Sequence, residues 1–387
     1  MSRKFRIVLK ALLVLLVVLA AAALWKRDEI TRLIAVNTLF YKEKIISNFS
    51  NMDAAFLTVD VPRGDGPASP LPKGTPASLP PGVEDWVKER QVTSLVVLKD
   101  GKIVFEDYYL GTSSGDLRIS WSIAKSFLSA LIGLLVEDGS IRSLDAQVTD
   151  YAPLLMGSAY EGVTIRNVLQ TSSGVKFDED YLDYNSDINR MGRVIALGQA
   201  LDSFTAKLVE RISEPGAAWK YVSIDTHVIG MVIRGATGRS IPDLLSERII
   251  IPLGVERTPF YVTDGEGVAF VLGGLNMTTR DYARLGLMYA QNGKIDGQQV
   301  VPSAWVEEST AATAPTAEDE YGYGYQWWIP KGATSGEFMA RGIYGQYVYI
   351  NQQRGIVIAT NAADRNFRDT GVDDQNVALF RLITESL

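Results

Sequence analysis

Strand-like segments lie near both ends of the chain's body, and a long stretch of helical character separates them. Residues 92–110 alternate between apolar and polar side chains around Asp100-Gly101, a pair that favours tight turns, so they predict a β-hairpin. Strand-like runs return only in residues 321–361, after a mostly helical stretch of about 140–315. Strands so distant in the chain predict one antiparallel sheet with helices on its faces and a mostly helical inserted domain. The expected fold class is therefore α+β.

The first 27 residues have the pattern of an export signal. They contain six basic residues and no acidic one, and residues 11–25 are an unbroken apolar run. Counted from Phe5 to Trp25, the segment reaches the length of about 17–25 residues that spans a bilayer, whereas Ala21 and Ala23 offer a cleavage site. The segment is therefore either a signal anchor, which we favour, or a signal peptide. Both place the rest of the chain outside the cytoplasm, in the periplasm or bound to the inner membrane by this helix.

Three regions follow from composition: residues 1–27 as the signal anchor or signal peptide, 28–85 as an N-terminal extension ending in a Pro/Gly-rich linker or strap, and 86–387 as the main domain. Beyond residue 27 the chain has 32 basic and 45 acidic residues, which argues against nucleic acid as a partner. With no cysteine and a single histidine, His227, thiolate and multi-histidine metal sites are excluded. No Gly-rich phosphate loop is present, so neither a cofactor nor a metal is predicted.

The motif Ser122-Ile-Ala-Lys125 begins a long apolar helix predicted from Ser122 to about Asp138. Spacing of three residues places both side chains on one helix face, and the helix N-terminus stabilises negative charge beside the serine. A lysine in apolar surroundings can act as a base, so the pair forms a nucleophile and base that needs no histidine. A serine here could instead simply cap the helix. A second copy, Ser173 to Lys176, lies in a polar turn and is interpreted as a coincidence.

Two further blocks add to this motif. In Tyr221-Val222-Ser223, the tyrosine could relay protons beside a Ser–Lys pair. In Gly342-Ile343-Tyr344-Gly345, within a strand-rich segment, the glycines allow a ligand to approach the backbone closely, so that backbone N–H groups could hold an oxyanion.

In this order and spacing, the three blocks resemble the serine β-lactamase and penicillin-binding-protein superfamily over about residues 86–387, with class C as the nearest broad branch. The blocks SWSIAKSF and RGIYGQYVYI are most similar to 6-aminohexanoate-dimer hydrolases and related carboxylesterases. The resemblance implies a β-lactamase-like fold. It also implies a serine hydrolase that acts through an acyl-enzyme on small linear amides or esters.

The resemblance also implies roles for individual residues. Ser122 would be the acylated nucleophile, and Lys125 and Tyr221 would take and return its proton. The backbone N–H groups of Ser122 and Ile343 would form the oxyanion hole. The implied substrate-binding residues are Tyr181 (with Tyr184 as a competitor), Ser223, Arg341, Gly342 and Tyr344.

The third block departs from the pattern of β-lactamases, which usually have Lys-Thr-Gly. Alignment of that glycine on Gly342 puts Ala340-Arg341 in the place of Lys-Thr, so the cation for a substrate carboxylate is missing or displaced to Arg341. This argues against the first alternative, a β-lactamase or DD-carboxypeptidase. The alternative of another class is a non-catalytic cell-envelope binding protein. We expect His227 to be a hydrogen-bonded structural residue, and the sequence leaves the oligomeric state open.

Overall fold

The structure is a computed structural model that describes residues 3–387. Its helices are α1 Arg3–Trp25, α2 Arg27–Thr38, α3 Ile45–Asn48, α4 Val83–Glu89, α5 Ile123–Glu137, α6 Ile165–Leu169, α7 Asp187–Ala196, α8 Leu201–Ala206, α9 Ile224–Thr237, α10 Ile241–Leu245, α11 Ile251–Leu253, α12 Thr279–Ala290, α13 Ser303–Ser309 and α14 Val372–Ser386. Its strands are β1 Thr58–Asp60, β2 Val92–Lys99, β3 Lys102–Tyr108, β4 Arg118–Ile119, β5 Phe260–Val262, β6 Leu275–Met277, β7 Lys294–Ile295, β8 Gln298–Gln299, β9 Gly322–Tyr323, β10 Trp328–Ile329, β11 Glu337–Gly342, β12 Gln346–Asn351 and β13 Ile356–Ala362.

The main sheet joins the two ends of the body, as the sequence predicted. Its seven strands are antiparallel in the order β3-β2-β13-β12-β11-β10-β9, so the hairpin of residues 92–110 pairs with the C-terminal strands through β2 and β13. The turn residues Asp100 and Gly101 both have positive φ, which suits a two-residue hairpin turn. Between these strands the chain forms helices and loops. Its short strands β4, β5 and β6 join β1 from the N-terminal extension in a four-stranded sheet, and β7 and β8 form a two-stranded sheet. The α+β prediction is confirmed.

Alternate residues of the main sheet enter two apolar layers. In β13, Val357 and Ala359 face the large core that contains α5, α9 and α12, whereas Ile356 and Ile358 face the layer covered by α4 and α14. Successive side chains of a strand point to opposite faces of the sheet. Because both faces are covered by helices, the central strands are apolar at nearly every position. The sheet is thus buried between helices, and α5 lies inside the larger layer with its first turn directed at the edge of β11.

The predicted helix from Ser122 to about Asp138 agrees closely with α5. The last described element is the helix α14. It begins at Val372 because Gly371, with φ +83°, ends the preceding loop at this point. Ser240 caps α10 by accepting a hydrogen bond from the amide of Asp243.

The N-terminal region has two parts with different packing. Helix α1 has no buried residue, and it is the one helix of residues 3–387 that is long and apolar enough to cross a membrane, so it could be a signal peptide or an anchor. Residues 61–81 form a strap along β3. There the amides of Gly74 and Ala77 donate to the carbonyls of Ile103 and Val104 at 2.8 and 2.9 Å.

Residues 28–60 pack into the main body. Phe40 stacks on Tyr344 with 4.7 Å between ring centroids, and Phe49 packs edge-on against Trp121 at 5.5 Å. The N-terminal extension therefore reaches the residues next to Ser122, a contact that its own composition did not reveal.

Candidate active site

Ser122 lies immediately before α5, with 9 % of its surface exposed. Its side chain makes no capping hydrogen bond, so the hydroxyl is not occupied in closing the helix. The preceding residue, Trp121, has φ +42°, a left-handed conformation that is unfavourable for a bulky L residue. Tertiary packing of the indole against Phe40 and Phe49 holds this turn. The turn presents Ser122 at the positive end of the helix.

Lys125 lies one helical turn further on and is almost completely buried, with 1 % exposed. Its Nζ lies 2.7 Å from the phenolic oxygen of Tyr221 and 2.9 Å from Oγ of Ser223. The same nitrogen also lies 4.2 Å from the centre of the Tyr221 ring. The Ser122–Lys125 motif and the Tyr221–Ser223 block are about 100 residues apart in sequence, and they meet at the side-chain nitrogen of Lys125.

Glu179 completes this cluster, and sequence analysis missed it. Its carboxylate accepts a hydrogen bond from the amide of Ser223 at 2.9 Å, a second from the Ser223 hydroxyl, and a third from the Tyr181 phenol at 2.6 Å. Burial, followed by the charge of Glu179, raises the pKa of Tyr181 well above its ordinary value, so this phenol stays protonated and donates. The only signal in the sequence was the position of Glu179 two residues before Tyr181.

The end of β11 lies directly against the turn that carries Ser122. A Cβ atom on Gly342 would stand 2.8 Å from the carbonyl oxygen of Ser120 and 3.0 Å from the backbone nitrogen of Ser122, closer than side chains tolerate. Glycine is therefore required at this position by close backbone approach. The following residue, Ile343, lies just beyond the strand end and lines the cavity at Ser122.

Two cavities meet at Ser122. The first, here called the polar cleft, is lined by Tyr221, Trp328 and Gly342 and by the charged residues Glu179, Glu320, Lys331, Arg341, Arg368, Asp369, Asp373 and Asp374, among others. The second, here called the apolar pocket, is lined mainly by aliphatic and aromatic side chains, including Val36, Leu39, Phe40, Met52, Phe56, Ile188, Ile195, Val262, Phe270 and Leu272. Ser122, Tyr181 and Ile343 line both cavities.

The cations of the polar cleft already have acidic partners. Arg341 forms an ion pair with Asp373 at 2.8 Å and lies 4.4 Å above the Trp328 ring. Arg368 pairs with Asp180 at 2.9 Å, and Lys331 pairs with Glu320 at 3.4 Å. The cleft therefore has no unpaired cation among its described lining residues to receive a substrate carboxylate.

Of the two candidate tyrosines in the loop before α7, only Tyr181 lines the site, and Tyr344 lies away from the cleft. Tyr181 lines both cavities, whereas Tyr184 is exposed and lies under Arg193 at 4.0 Å. Tyr344 is buried in an aromatic cluster with Phe40, Phe49, Trp121 and Phe367, and neither cavity has it in its lining. Its position supports the turn at Trp121 and does not face substrate.

The remaining sequence candidates lie outside this cluster. His227 is buried and its Nε2 lies 2.8 Å from Asp202, which also pairs with Arg234. Ser173 donates to buried Asp225, and Lys176 forms an ion pair with Glu210 at the surface. Within residues 3–387 no group of three or more His, Asp or Glu side chains is placed to hold a metal ion.

Comparison with known proteins agrees with this geometry. The profile of the β-lactamase family matches residues 83–381, which is more than half of the chain. The chain belongs to the β-lactamase family. It is 27 % identical to the 6-aminohexanoate-dimer hydrolase of Paenarthrobacter ureafaciens over 80 % of this chain and 83 % of that protein.

Solved structures share the same fold. A candidate 6-aminohexanoate-dimer hydrolase from Bacillus anthracis superposes with a TM-score of 0.77 at 22 % identity, covering 90 % of this chain and 95 % of that one. A family VIII carboxylesterase gives a TM-score of 0.62 at 16 % identity, covering 81 % and 99 %. The predicted resemblance to this superfamily, including esterases and 6-aminohexanoate-dimer hydrolases, is confirmed.

Proposed function

We propose that this protein is a serine hydrolase that cleaves small linear amides or esters through an acyl-enzyme on Ser122. The observation that carries the proposal is the contact of Lys125 Nζ with the Tyr221 phenol and with Ser223, one helical turn from Ser122. A buried lysine beside a phenol, next to a serine that caps nothing, is the arrangement expected for nucleophile activation.

In the acylation step, Oγ of Ser122 attacks the substrate carbonyl carbon while its proton passes to the Lys125–Tyr221 pair. The N–H groups of Ser122 and Ile343 hold the oxyanion of the tetrahedral intermediate. When the intermediate collapses, the C–N or C–O bond breaks, and the leaving group takes the proton from the same pair. Water then attacks the acyl-serine and gives a proton to the pair. The bond between Ser122 Oγ and the carbonyl carbon breaks, the pair returns the proton to Ser122, and the acid leaves.

The charges of the polar cleft favour a substrate that lacks the carboxylate of a β-lactam. Its acidic residues outnumber its basic ones, and Arg341 is engaged by Asp373 and by the Trp328 ring. The linear 6-aminohexanoate dimer represents the amide branch, because the 6-aminohexanoate-dimer hydrolase of Paenarthrobacter ureafaciens is a relative. The dimer carries a carboxylate on its leaving group, for which the described lining of the cleft has no unpaired cation, so we expect an uncharged ester to react faster. We further propose that α1 holds the exported domain at the membrane, supported by its length, exposure and basic flank.

The test uses the full-length protein in detergent with p-nitrophenyl butyrate, linear 6-aminohexanoate dimer and a chromogenic cephalosporin. We expect turnover of the ester or the linear amide, covalent labelling of Ser122 by a fluorophosphonate, and loss of both in Ser122→Ala. The matched control is Ser78→Ala in the exposed strap. Turnover that survives in Ser122→Ala, or ligand binding without turnover or labelling, would overturn the proposal in favour of a binding protein. Fast cephalosporin turnover would instead assign a β-lactamase.

A further inference from the structure

The apolar pocket beside Ser122 is built largely by the N-terminal extension. Val36 from α2, Leu39 and Phe40 after it, and Met52 and Phe56 form one wall. The opposite wall comes from α7 and from residues near β5 and β6, including Ile188, Ile195, Val262 and Leu272. The extension precedes residues 83–381, the part of the chain that matches the family profile, so this wall lies outside the region by which the family is recognised.

Ser122 stands where the apolar pocket opens into the polar cleft. An acyl transfer at this position needs two directions away from the carbonyl carbon, one for the acyl chain and one for the leaving group. The leaving group must depart and water must enter after acylation, and both need a polar route to solvent. The acyl part stays covalently attached meanwhile, and an apolar chain gains free energy wherever it is kept from water.

We propose that the apolar pocket is the acyl-binding site, which selects esters or amides of short, unbranched apolar acids, and that the N-terminal extension thereby sets the acyl specificity. This inference rests on the proposed acyl-enzyme at Ser122. The pocket lining offers few polar groups beyond Ser122, Tyr181, Asn189 and Ser223, so a charged acyl chain would lose its hydration there. The 6-aminohexanoyl group, which ends in an ammonium, should therefore react more slowly than hexanoyl.

The size of the pocket limits the acyl chain. Its cavity volume is about 90 Å³. An engineered cavity of about 150 Å³ accommodates the six carbons of benzene. The pocket therefore suits about four carbons beyond the carbonyl. We expect an optimum between butanoyl and hexanoyl substrates and poor turnover of decanoyl or longer chains.

Gly192 in α7 provides the means to change this size. A Cβ atom there would meet only Cγ2 of Val36, at 3.5 Å, which is ordinary van der Waals contact. Larger side chains at 192 would therefore project toward the wall formed by the extension without a backbone clash. Gly192→Ala and Gly192→Leu reduce the pocket in two steps, and both favour the helix over glycine.

The experiment compares two ester series with the full-length protein. In p-nitrophenyl esters from acetyl to dodecanoyl, only the acyl chain changes. We expect kcat/KM to rise roughly three- to fourfold per methylene up to the optimum. In acetate esters of alcohols of increasing length, only the leaving group changes, and we expect no such rise. Gly192→Ala and then Gly192→Leu should shift the acyl optimum to shorter chains, while the matched control Gly66→Leu, at an open position in the strap, should keep the wild-type profile.

Several outcomes would overturn the inference while leaving the hydrolase proposal intact. They are Ser122-dependent turnover that does not vary with acyl length, a profile unchanged in Gly192→Leu, or a length dependence in the alcohol series instead. Failure of the proposed function has a different signature, because acetyl ester turnover would then persist in Ser122→Ala or be absent from the wild-type protein.

Discussion

Glu179 and Ser223 are joined through both the backbone and the side chain of the serine. The Ser223 amide donates to one carboxylate oxygen at 2.9 Å, and the Ser223 hydroxyl donates to the other. Since Ser223 also contacts Lys125, the carboxylate holds the lysine through this serine. The loop that follows Phe177 is thereby tied to the start of α9.

Replacement of Glu179 tests this relationship. Glu179→Gln keeps the size of the side chain, but its amide nitrogen cannot accept from Ser223. A hydrogen bond to a charged group contributes about 1.5–3 kcal/mol, so we expect kcat for p-nitrophenyl butyrate to fall about 10- to 100-fold. The control is Glu210→Gln, which loses only an exposed ion pair with Lys176. A Glu179→Gln enzyme with the kcat of the wild type would refute the positioning role.

A methyl group on Gly342 should disturb the proposed oxyanion hole. The Cβ of Gly342→Ala would overlap the backbone of Ser120 and Ser122, so one of the two segments must shift by a few tenths of an ångström. Because misplacement by about 1 Å lowers rates by about 10²-fold, we expect a loss of kcat of that order or somewhat less. Steady-state kinetics beside Gly66→Ala, which meets no neighbouring atom, measures the effect. Unchanged kcat would show that β11 does not limit the geometry at Ser122.

The buried carboxyl of Asp225 should make stability depend on pH. Burial raises its pKa to about 7, against the opposing effects of hydrogen bonds from Ser173 and Tyr160 and of the charge of Lys125. Between about pH 4 and 7 the native state therefore binds more protons than the unfolded state. The free energy of unfolding should fall by up to about 4 kcal/mol as pH rises through this window.

Asp225→Asn mimics the protonated side chain and should remove that fall. Its amide oxygen can still accept from Ser173 and Tyr160. Urea unfolding of the two proteins at pH 4.5, 6 and 7.5 provides the measurement. Parallel pH profiles would mean that Asp225 does not titrate in this range.

The aromatic contacts of the N-terminal extension should stabilise the turn at Ser122. Phe49 is fully buried against Trp121 and Tyr344. We expect Phe49→Ala to lower the free energy of unfolding by about 3–5 kcal/mol and to reduce kcat as the turn at Trp121 loosens. Tyr41→Ala, at an exposed neighbouring position, is the control and should change both by little. Equal stability of the two variants would show that the extension is not part of the folded core.

Helix α1 should keep the protein in the membrane. In a bacterial host we expect the full chain in the membrane fraction, extracted by detergent but not by salt, with the domain accessible to protease from the periplasmic side. A chain that begins at Arg27 should stay soluble and in the cytoplasm. Recovery of a soluble periplasmic protein that starts near residue 24 would identify a cleaved signal peptide instead.

Features that depend on local patterns were predictable from the sequence. The hairpin of β2 and β3 follows from period-two alternation around Asp100-Gly101, and α5 follows from a largely apolar segment that precedes Gly139. The motif Ser122 to Lys125 is local as well, because a helix turn brings residues three apart to one face. Resemblance then linked this motif to Tyr221 and Gly342, which the fold brings to the same place.

Other features needed the tertiary structure, because they are contacts between segments far apart in the chain. No local pattern distinguishes Glu179 from its acidic neighbours, and only the packing of its loop on α9 brings it to Ser223. Likewise, Tyr344 was expected to face substrate, but stacking on Phe40 from the extension holds it in the core. The amino-acid sequence by itself determined the placement of Ser122 and Lys125 on one helix face and the strands of the main sheet, through short-range periodicity. Only the tertiary structure decided the walls of the site, since side chains separated by more than 100 residues meet there through packing that leaves no periodic trace.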